Sequence, residues 1–176
     1  SESAETTPAP DAKPGKSLKF NWKETVAAAA FKRFGYLWVI FDRPSVIDIE
    51  KLQAAAGPFI ETIDSAPTPE ATILRFRLPK PINPELSLDG STWILNIAKR
   101  EANVPEPINV EIELESPVGP RIFFPISEPG KPLGITDPTS GDNLVVVPVV
   151  SAGRGVDPSR MYPQLQVLPS FQGIVL

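Results

Sequence analysis

The segment FKRFGYLWVIFDRP, residues 31–44, decides the fold class of this chain. Gly35 lies just past the basic pair Lys32–Arg33 and precedes six consecutive apolar or aromatic residues. Glycine adopts positive φ angles at little cost, and β-branched and aromatic residues favour strands, so the pattern predicts a β-hairpin with Gly35 in its turn. Both faces of the second strand are apolar, which predicts a central strand covered on both sides. The alanines at 27–30 leave a helix over residues 23–33 as the alternative.

Asp42 and Arg43 follow this strand, and Pro44 prevents it from continuing. One interpretation places the Asp42 carboxylate in a pocket, as a base or a ligand contact. The other makes it the charge that ends the strand and accepts hydrogen bonds from loop amides. The second is favoured, because the sequence offers no neighbouring group that would shift the pKa of a lone carboxylate. Both residues are kept as candidate contacts to a partner or a glycan.

One short helix is predicted around residues 46–56. Ser45 can cap its N-terminus, with Asp48 three residues later in a capping-box arrangement. The residues that share its apolar face are Ile49, Leu52 and Ala56. The Gly57–Pro58 pair predicts where the helix ends.

A second hairpin is predicted in LSLDGSTWILNIA, residues 86–98, around an Asp89–Gly90 turn. Placing Gly35 on Gly90 aligns Trp38 with Trp93. The alignment suggests that one β unit is repeated, with chance similarity between two glycine turns as the alternative.

The last third of the chain also predicts short strands. In INVEIELES (108–116), apolar residues at 110, 112 and 114 alternate with glutamates at 111, 113 and 115, which predicts one packed and one solvated face. The glutamates are expected to face Arg75 and Arg77 across a sheet. Pro148 interrupts NLVVVPVVS (143–151), which suggests an edge strand or a bulge. The chain stops inside an apolar strand at Leu176, and we expect the natural protein to continue.

The domain organisation follows from these segments. Residues 1–17 contain no aromatic or large aliphatic side chain and are predicted to be a disordered arm rich in Pro, Ala and Ser. Residues 18–176 are predicted to be mostly β, as an antiparallel β-sandwich. Two related β lobes, over residues 18–100 and 101–176, are the finer alternative.

Composition excludes several classes of function. The chain has no cysteine and no histidine, so it lacks the commonest general base, the commonest metal ligand and any thiolate site. The net charge is −4 with scattered basic residues, which argues against nucleic acid as a partner. No apolar run approaches the about 20 residues of a membrane span. We therefore expect no cofactor, no metal, no nucleic acid and no membrane span in this segment.

Two loops and several aromatic residues are the remaining site candidates. TDPTSGDN (136–143) is interpreted as a tight connection, and SAGRGVDPSR (151–160) as a mobile loop that could contact an anion or a partner. Trp38 and Trp93 are expected in the core, and Trp22 is expected to be exposed. The candidate contact residues in and beside the second loop are Arg154, Arg160 and Tyr162.

The glycine-turn hairpin with its apolar strand and Phe–Asp ending, in FKRFGYLWVIFDRP and more loosely in LSLDGSTWILNIA, resembles the AMIN modules of bacterial envelope proteins. These modules occur in cell-wall amidases and outer-membrane secretins. The resemblance implies a small β-sandwich in the periplasm that binds peptidoglycan.

The leading hypothesis is a non-enzymatic interaction or scaffold domain of a larger exported envelope protein. It would bind another protein or the cell wall through sheet edges or the loops near 128–142 and 151–162. A carbohydrate-binding module that uses exposed aromatics is the alternative, and a glycan-cleaving enzyme with paired carboxylates is the third hypothesis.

Overall fold

The computed structural model describes residues 16–66, 68–79, 82–98 and 104–176. The helices are α1 (Ile49–Ala56) and a single 3-10 turn (Gly57–Phe59). The strands are β1 (Lys16–Asn21), β2 (Ala28–Arg33), β3 (Tyr36–Phe41), β4 (Thr62–Ser65), β5 (Thr72–Arg77), β6 (Asn83–Asp89), β7 (Thr92–Ala98), β8 (Glu106–Pro107), β9 (Glu111–Glu113), β10 (Arg121–Phe123), β11 (Leu133–Thr136), β12 (Asn143–Val147), β13 (Arg154–Gly155), β14 (Arg160–Tyr162), β15 (Leu165–Val167) and β16 (Ile174–Val175).

Three antiparallel sheets form the body of the molecule. Sheet A has the strand order β1-β7-β6, sheet B the order β2-β3-β5-β4, and sheet C the order β11-β12-β16. Side chains of sheet A, α1 and one face of sheet B form the first core. The opposite face of sheet B and sheet C form the second core. The predicted mostly β, antiparallel sandwich with one short helix is therefore confirmed, with sheet B in the middle.

Strand β3 is central, as predicted. It pairs with β2 on one side and β5 on the other. Because side chains alternate along a strand, residues 37, 39 and 41 enter the first core while residues 38 and 40 enter the second. All five are at most 2% exposed.

The turn between β2 and β3 consists of Phe34 and Gly35, with φ angles of 48° and 79°. Two successive positive φ angles match the twist of a two-residue hairpin. The helical alternative over residues 23–33 is wrong, because Ala28–Ala30 are strand residues with no exposed surface. Their small side chains permit close neighbours, and the Ala30 N–H donates to the Gln172 carbonyl at 2.9 Å.

The helix begins three residues later than predicted. Asp48, with φ −76° and ψ 97°, is its N-cap, and its side chain accepts the Lys51 N–H at 3.1 Å. Asp48 therefore fills the capping role that was assigned to Ser45. The predicted end is confirmed, since Gly57 follows the last helical residue with a φ of 58°.

The second hairpin is confirmed, but the repeat is wrong. Gly35 is the second residue of its turn, whereas Gly90 is the first of the turn between Asp89 and Thr92. Aligning the glycines therefore shifts the strands by one residue, which exchanges their faces. Trp38 accordingly lies in the second core and Trp93 in the first.

The structure differs from two predictions about where strands begin and end. Lys16 and Ser17, assigned to the arm, are the first residues of β1, and residues 1–15 lie outside the described part. Pro148 does not mark an edge strand: β12 is the middle strand of sheet C and ends one residue earlier, at Val147. The Pro148 carbonyl accepts the Gly130 N–H at 2.7 Å.

The proposed boundary between the two lobes, at residues 100 and 101, lies outside the described residues. Sheets A and B come from the chain before it, and sheet C from the chain after it. The second core joins sheets B and C.

Candidate functional site

Asp42 has structural partners. One carboxylate oxygen accepts the Ala27 N–H at 2.9 Å, and the Asp42 N–H donates to the Ala27 carbonyl at 3.1 Å. A Cβ added at Gly130 would lie 2.8 Å from the other carboxylate oxygen. The side chain is only 11% exposed. The structure therefore agrees with the strand-ending interpretation of Asp42.

Arg43 is exposed and paired. Its guanidinium donates to Glu24 at 2.8 Å. This hydrogen bond, with the nearby charge of Asp42, raises the pKa of Arg43 above its usual value. The pair is solvent-exposed, so it contributes little to stability.

Trp22 is not the exposed aromatic that was predicted. Its ring packs 5.1 Å from that of Phe41, against the first core, and its Nε1 is buried without a hydrogen-bond partner among the described atoms. Trp38 and Trp93 are buried as expected, and the Trp93 Nε1 donates to the Val26 carbonyl at 2.8 Å. The three tryptophans therefore do not form a platform for sugar rings.

Arg154 belongs to the packed part of the molecule. Its guanidinium donates to the Pro125 carbonyl at 2.9 Å and lies 3.7 Å from Glu106. In the same loop, the Gly153 N–H donates to the Gln172 side chain at 2.8 Å, and the Gly173 N–H donates to the Arg154 carbonyl at 2.8 Å. These bonds join the first part of the predicted mobile loop to the segment before β16. The structure thus gives Arg154 an intramolecular role.

Arg160 and Tyr162 lie on β14. Arg160 is exposed, while Tyr162 packs against the third core, a small cluster around Ile108, Val156, Val167 and Ile174. Within the described part, no hydrogen bond, ion pair or aromatic contact joins Trp22, Asp42 or Arg43 to these two residues or to Arg154. Among these six candidate contact residues, the described contacts join only Asp42 and Arg43 to each other.

The loop TDPTSGDN is a tight connection between β11 and β12, as predicted, but it also binds Arg33. The Arg33 guanidinium donates to Asp137 at 2.8 Å and to Asp142. Burial raises the pKa of the Asp137 carboxyl, but the Thr139 N–H, Arg33 and Ser140 outweigh it and hold the pKa below its usual value. This link between sheets B and C joins residues about a hundred positions apart, and no local sequence signal indicated it.

A cavity of about 320 Å³ opens at the β2–β3 turn. Its lining residues are Lys32, Arg33, Phe34, Gly35, Tyr36, Leu78 and Pro79. Phe34 is 60% exposed although its positive φ is costly for a bulky side chain. The Lys32 amine donates to Asn83 at 2.9 Å, and burial lowers its pKa. The cavity therefore combines an exposed ring with a partly desolvated amine.

The segment 109–124, which we call the acidic hairpin, departs most from expectation. The apolar residues at 110, 112 and 114 were predicted to pack, yet Ile112 is 53% and Leu114 71% exposed. Val118 and Phe123 are also exposed, at 83% and 55%. Strands β9 and β10 form a two-stranded sheet on their own. Only its base, with Val110 and Phe124, packs against the third core.

The charges of the acidic hairpin also differ from the prediction. Glu113 pairs with Arg121 at 2.7 Å. Arg75 and Arg77, the expected partners, pair instead with Asp64 and Glu61. The prediction assumed a neighbouring sheet beside β9, and none of the described strands other than β10 pairs with it.

The comparisons with known proteins add no assignment: no family model, curated protein or solved structure matches this chain. Within the described ranges, no helix has the length and apolar character needed to cross a bilayer. The same ranges contain no cluster of three or more acidic residues suited to hold a metal ion.

Proposed function

We propose that this chain is a non-enzymatic interaction domain of a larger exported bacterial envelope protein, and that it binds another protein through the acidic hairpin. The observation that carries the proposal is the exposure of four large apolar side chains, at residues 112, 114, 118 and 123, within the acidic hairpin. Because Phe123 pairs with Glu111 and Ile112 with Ile122, Phe123 and Ile112 lie on opposite faces, and the exposed apolar surface extends over both faces. Clustered exposed apolar surface is typical of interaction sites, whereas single exposed apolar residues are ordinary.

The hydrogen-bond partners of two aspartates, Asp42 and Asp137, support a non-enzymatic role. Asp42 is held by backbone groups of Ala27, and Asp137 by Arg33 and the Thr139 N–H. A glycosidase needs two carboxyls across a cleft, with a proton held at one of them. Neither aspartate is placed for that purpose.

The periplasmic location rests on the resemblance of the β2–β3 hairpin to AMIN modules. Fractionation of cells that express the natural gene with a C-terminal epitope tests it. The proposal requires the product in the periplasm or envelope fraction, and a cytoplasmic product would contradict it.

Photo-cross-linking tests the docking function. A benzophenone amino acid replaces Leu114 in the natural protein in its own cells, and a matched variant carries it at Val46, which is 99% exposed but outside the acidic hairpin. We expect a discrete protein adduct from position 114 and none from position 46. Equal adducts from both positions, or none from 114, would contradict the proposal.

The cavity at the β2–β3 turn favours a second candidate, glycan binding. The basis of this candidate is the exposed Phe34 ring. The tryptophan rings are buried or packed against a core and do not offer a face to a sugar. Calorimetric titration with soluble peptidoglycan fragments tests this candidate. Binding that is lost in Phe34→Ala and retained in Phe123→Ala supports it, and no heat of binding to the unmodified chain removes it.

A further inference from the structure

We infer that the partner of the acidic hairpin is an extended segment with lysine or arginine at alternate positions, which adds as a third strand to the free edge of β9. This inference rests on the proposed function and specifies the chemistry of the partner. A third strand gains main-chain hydrogen bonds, and its alternate side chains supply specificity.

The free edge of β9 is the part of the acidic hairpin that can accept a strand. Strand β9 (Glu111–Glu113) and its flanks over residues 109–116 contain no proline, so no backbone N–H is missing from this edge. The Ile108 N–H is already used, since it donates to the Gly155 carbonyl at 2.7 Å. β10 lies between Pro120 and Pro125, and proline lacks the N–H that such pairing needs. In the described part of the chain, β9 pairs with β10 alone.

The edge of β2 shows what a covered edge looks like in this fold. The Ala28 N–H donates to the Val149 carbonyl at 3.1 Å, and the Ala30 N–H donates to the Gln172 carbonyl at 2.9 Å. No described backbone group makes such hydrogen bonds to the outer edge of β9. The edge of β2 is therefore covered by other backbone segments, whereas the outer edge of β9 has no described backbone partner.

Charge specifies the partner. The acidic hairpin, residues 109–124, contains three glutamates and one arginine, a net charge of −2, and the arginine, Arg121, pairs with Glu113. A neighbouring strand with cations opposite these glutamates would be stabilised, and one with acids opposite them would be destabilised. The same repulsion disfavours pairing with a second copy of this acidic hairpin.

The alternation along β9 specifies the pattern of the partner. Glu111 and Glu113 point to one face and Ile112 to the other, and the exposed Leu114 follows the strand. The register places Arg121 and Phe123 of β10 on the face of the two glutamates and Ile122 on the face of Ile112. An added strand in register therefore meets the two carboxylates on one face and Ile112 on the other. The matching partner therefore has basic residues on one face and apolar residues on the other, with a period of two.

The test uses the 176-residue chain and synthetic ten-residue peptides. One peptide alternates lysine and valine, a second alternates glutamate and valine, and a third is the lysine peptide with N-methyl groups on alternate residues. Binding is measured by calorimetry, and the site by NMR shifts. We expect the lysine peptide to bind at residues 109–116, more weakly at higher salt, and the other two peptides not to bind.

Two protein variants separate the inference from the proposed function. Glu111→Gln/Glu113→Gln/Glu115→Gln should weaken the lysine peptide by about 3- to 100-fold. In the control variant Asp89→Gln/Glu85→Gln, on the β6 hairpin, the affinity should stay unchanged. Equal affinity for all variants, or undiminished binding of the N-methyl peptide, overturns the basic-strand inference.

The proposed function has its own readout. If Leu114 cross-links to a protein but the lysine peptide does not bind, docking through the acidic hairpin stands and the basic-strand inference is wrong. If the cross-link fails at Leu114, the proposed function fails whatever the peptide does.

Discussion

Strand β3 is apolar or aromatic at every position and strand β9 at alternate positions, and β3 is buried on both faces whereas β9 is exposed on both. β3 lies between two paired strands and between two cores. Among the described strands β9 pairs with β10 alone, and Ile112 and Leu114 are 53% and 71% exposed. The pattern of apolar residues in a strand therefore predicts which side chains can be buried. They are buried only where another layer of the fold packs on them.

Proline explains part of the difference. Pro120 and Pro125 bound β10 closely and limit it to three residues, and β9 can pair with β10 only over that length. β3, with no proline from residue 31 to residue 43, extends over six residues and contributes side chains to both cores. Short strands offer too little surface to hold a layer of their own.

The largest expected contrast is in the two phenylalanines. Phe41→Ala removes a ring from the first core and should lower the free energy of unfolding by about 3–5 kcal/mol. Phe123→Ala, at a ring that is 55% exposed, should change it by about 0.5 kcal/mol or less. Urea denaturation measures both, and similar losses would contradict the assignment of the acidic hairpin as an unpacked element.

The next contrast compares two ion pairs. Asp137 is 1% exposed and Arg33 14%, whereas Glu113 and Arg121 are about half exposed. Asp137→Asn should lower the free energy of unfolding by about 1–3 kcal/mol at neutral pH. Glu113→Gln should lower it by about 0–1 kcal/mol.

The pH dependence of the Asp137 contribution follows from the direction of its pKa shift. The pKa of this carboxyl is lower in the folded chain than its usual value of about 3.9. The stabilisation is therefore complete above that usual value and is lost as the pH falls through the lower folded pKa. The difference between the unmodified chain and Asp137→Asn, measured by denaturation from pH 7 to pH 2, should shrink only below about pH 4. A constant difference would contradict the ion pair.

A smaller contrast concerns turns. Gly35 has a φ of 79° and open space where a Cβ would be, so Gly35→Ala should cost about 1–2 kcal/mol through backbone conformation alone. Phe34→Asn, at a φ of 48°, should raise the free energy of unfolding by about 0.5–1 kcal/mol, because asparagine tolerates this conformation better. Thermal unfolding measures both, and a loss in Phe34→Asn would indicate that the contact of its ring with Arg33 matters more than the backbone.

The sequence predicts the local features of this fold well. The turn at Gly35, the turn at Asp89–Gly90 and the helix end at Gly57 each depend on residues within a few positions of one another. The buried position of β3 can also be predicted from the sequence, because a strand that is apolar on both faces is stable only when both faces are covered.

The features that were missed depend on distant parts of the chain. Arg33 meets Asp137 and Asp142 only because sheet C packs on sheet B. Trp22 is partly buried because its ring packs beside that of Phe41. The polar residues next to Trp22 in the sequence do not indicate this contact. The closely spaced prolines around the acidic hairpin indicated short strands. Whether another layer covers those strands depends on the rest of the chain and cannot be derived from their own residues.

Native-state hydrogen exchange compares β3 and β9 most directly. In the 176-residue chain, the amides of Val39 and Ile40 should exchange only through global unfolding, with a free energy that depends on denaturant as the whole molecule does. The amides on the outer edge of β9, which have no hydrogen-bond partner among the described backbone groups, should exchange with little or no protection and without dependence on denaturant. Equal protection of the two strands would show that β9 is covered, and would contradict its assignment as a free docking edge.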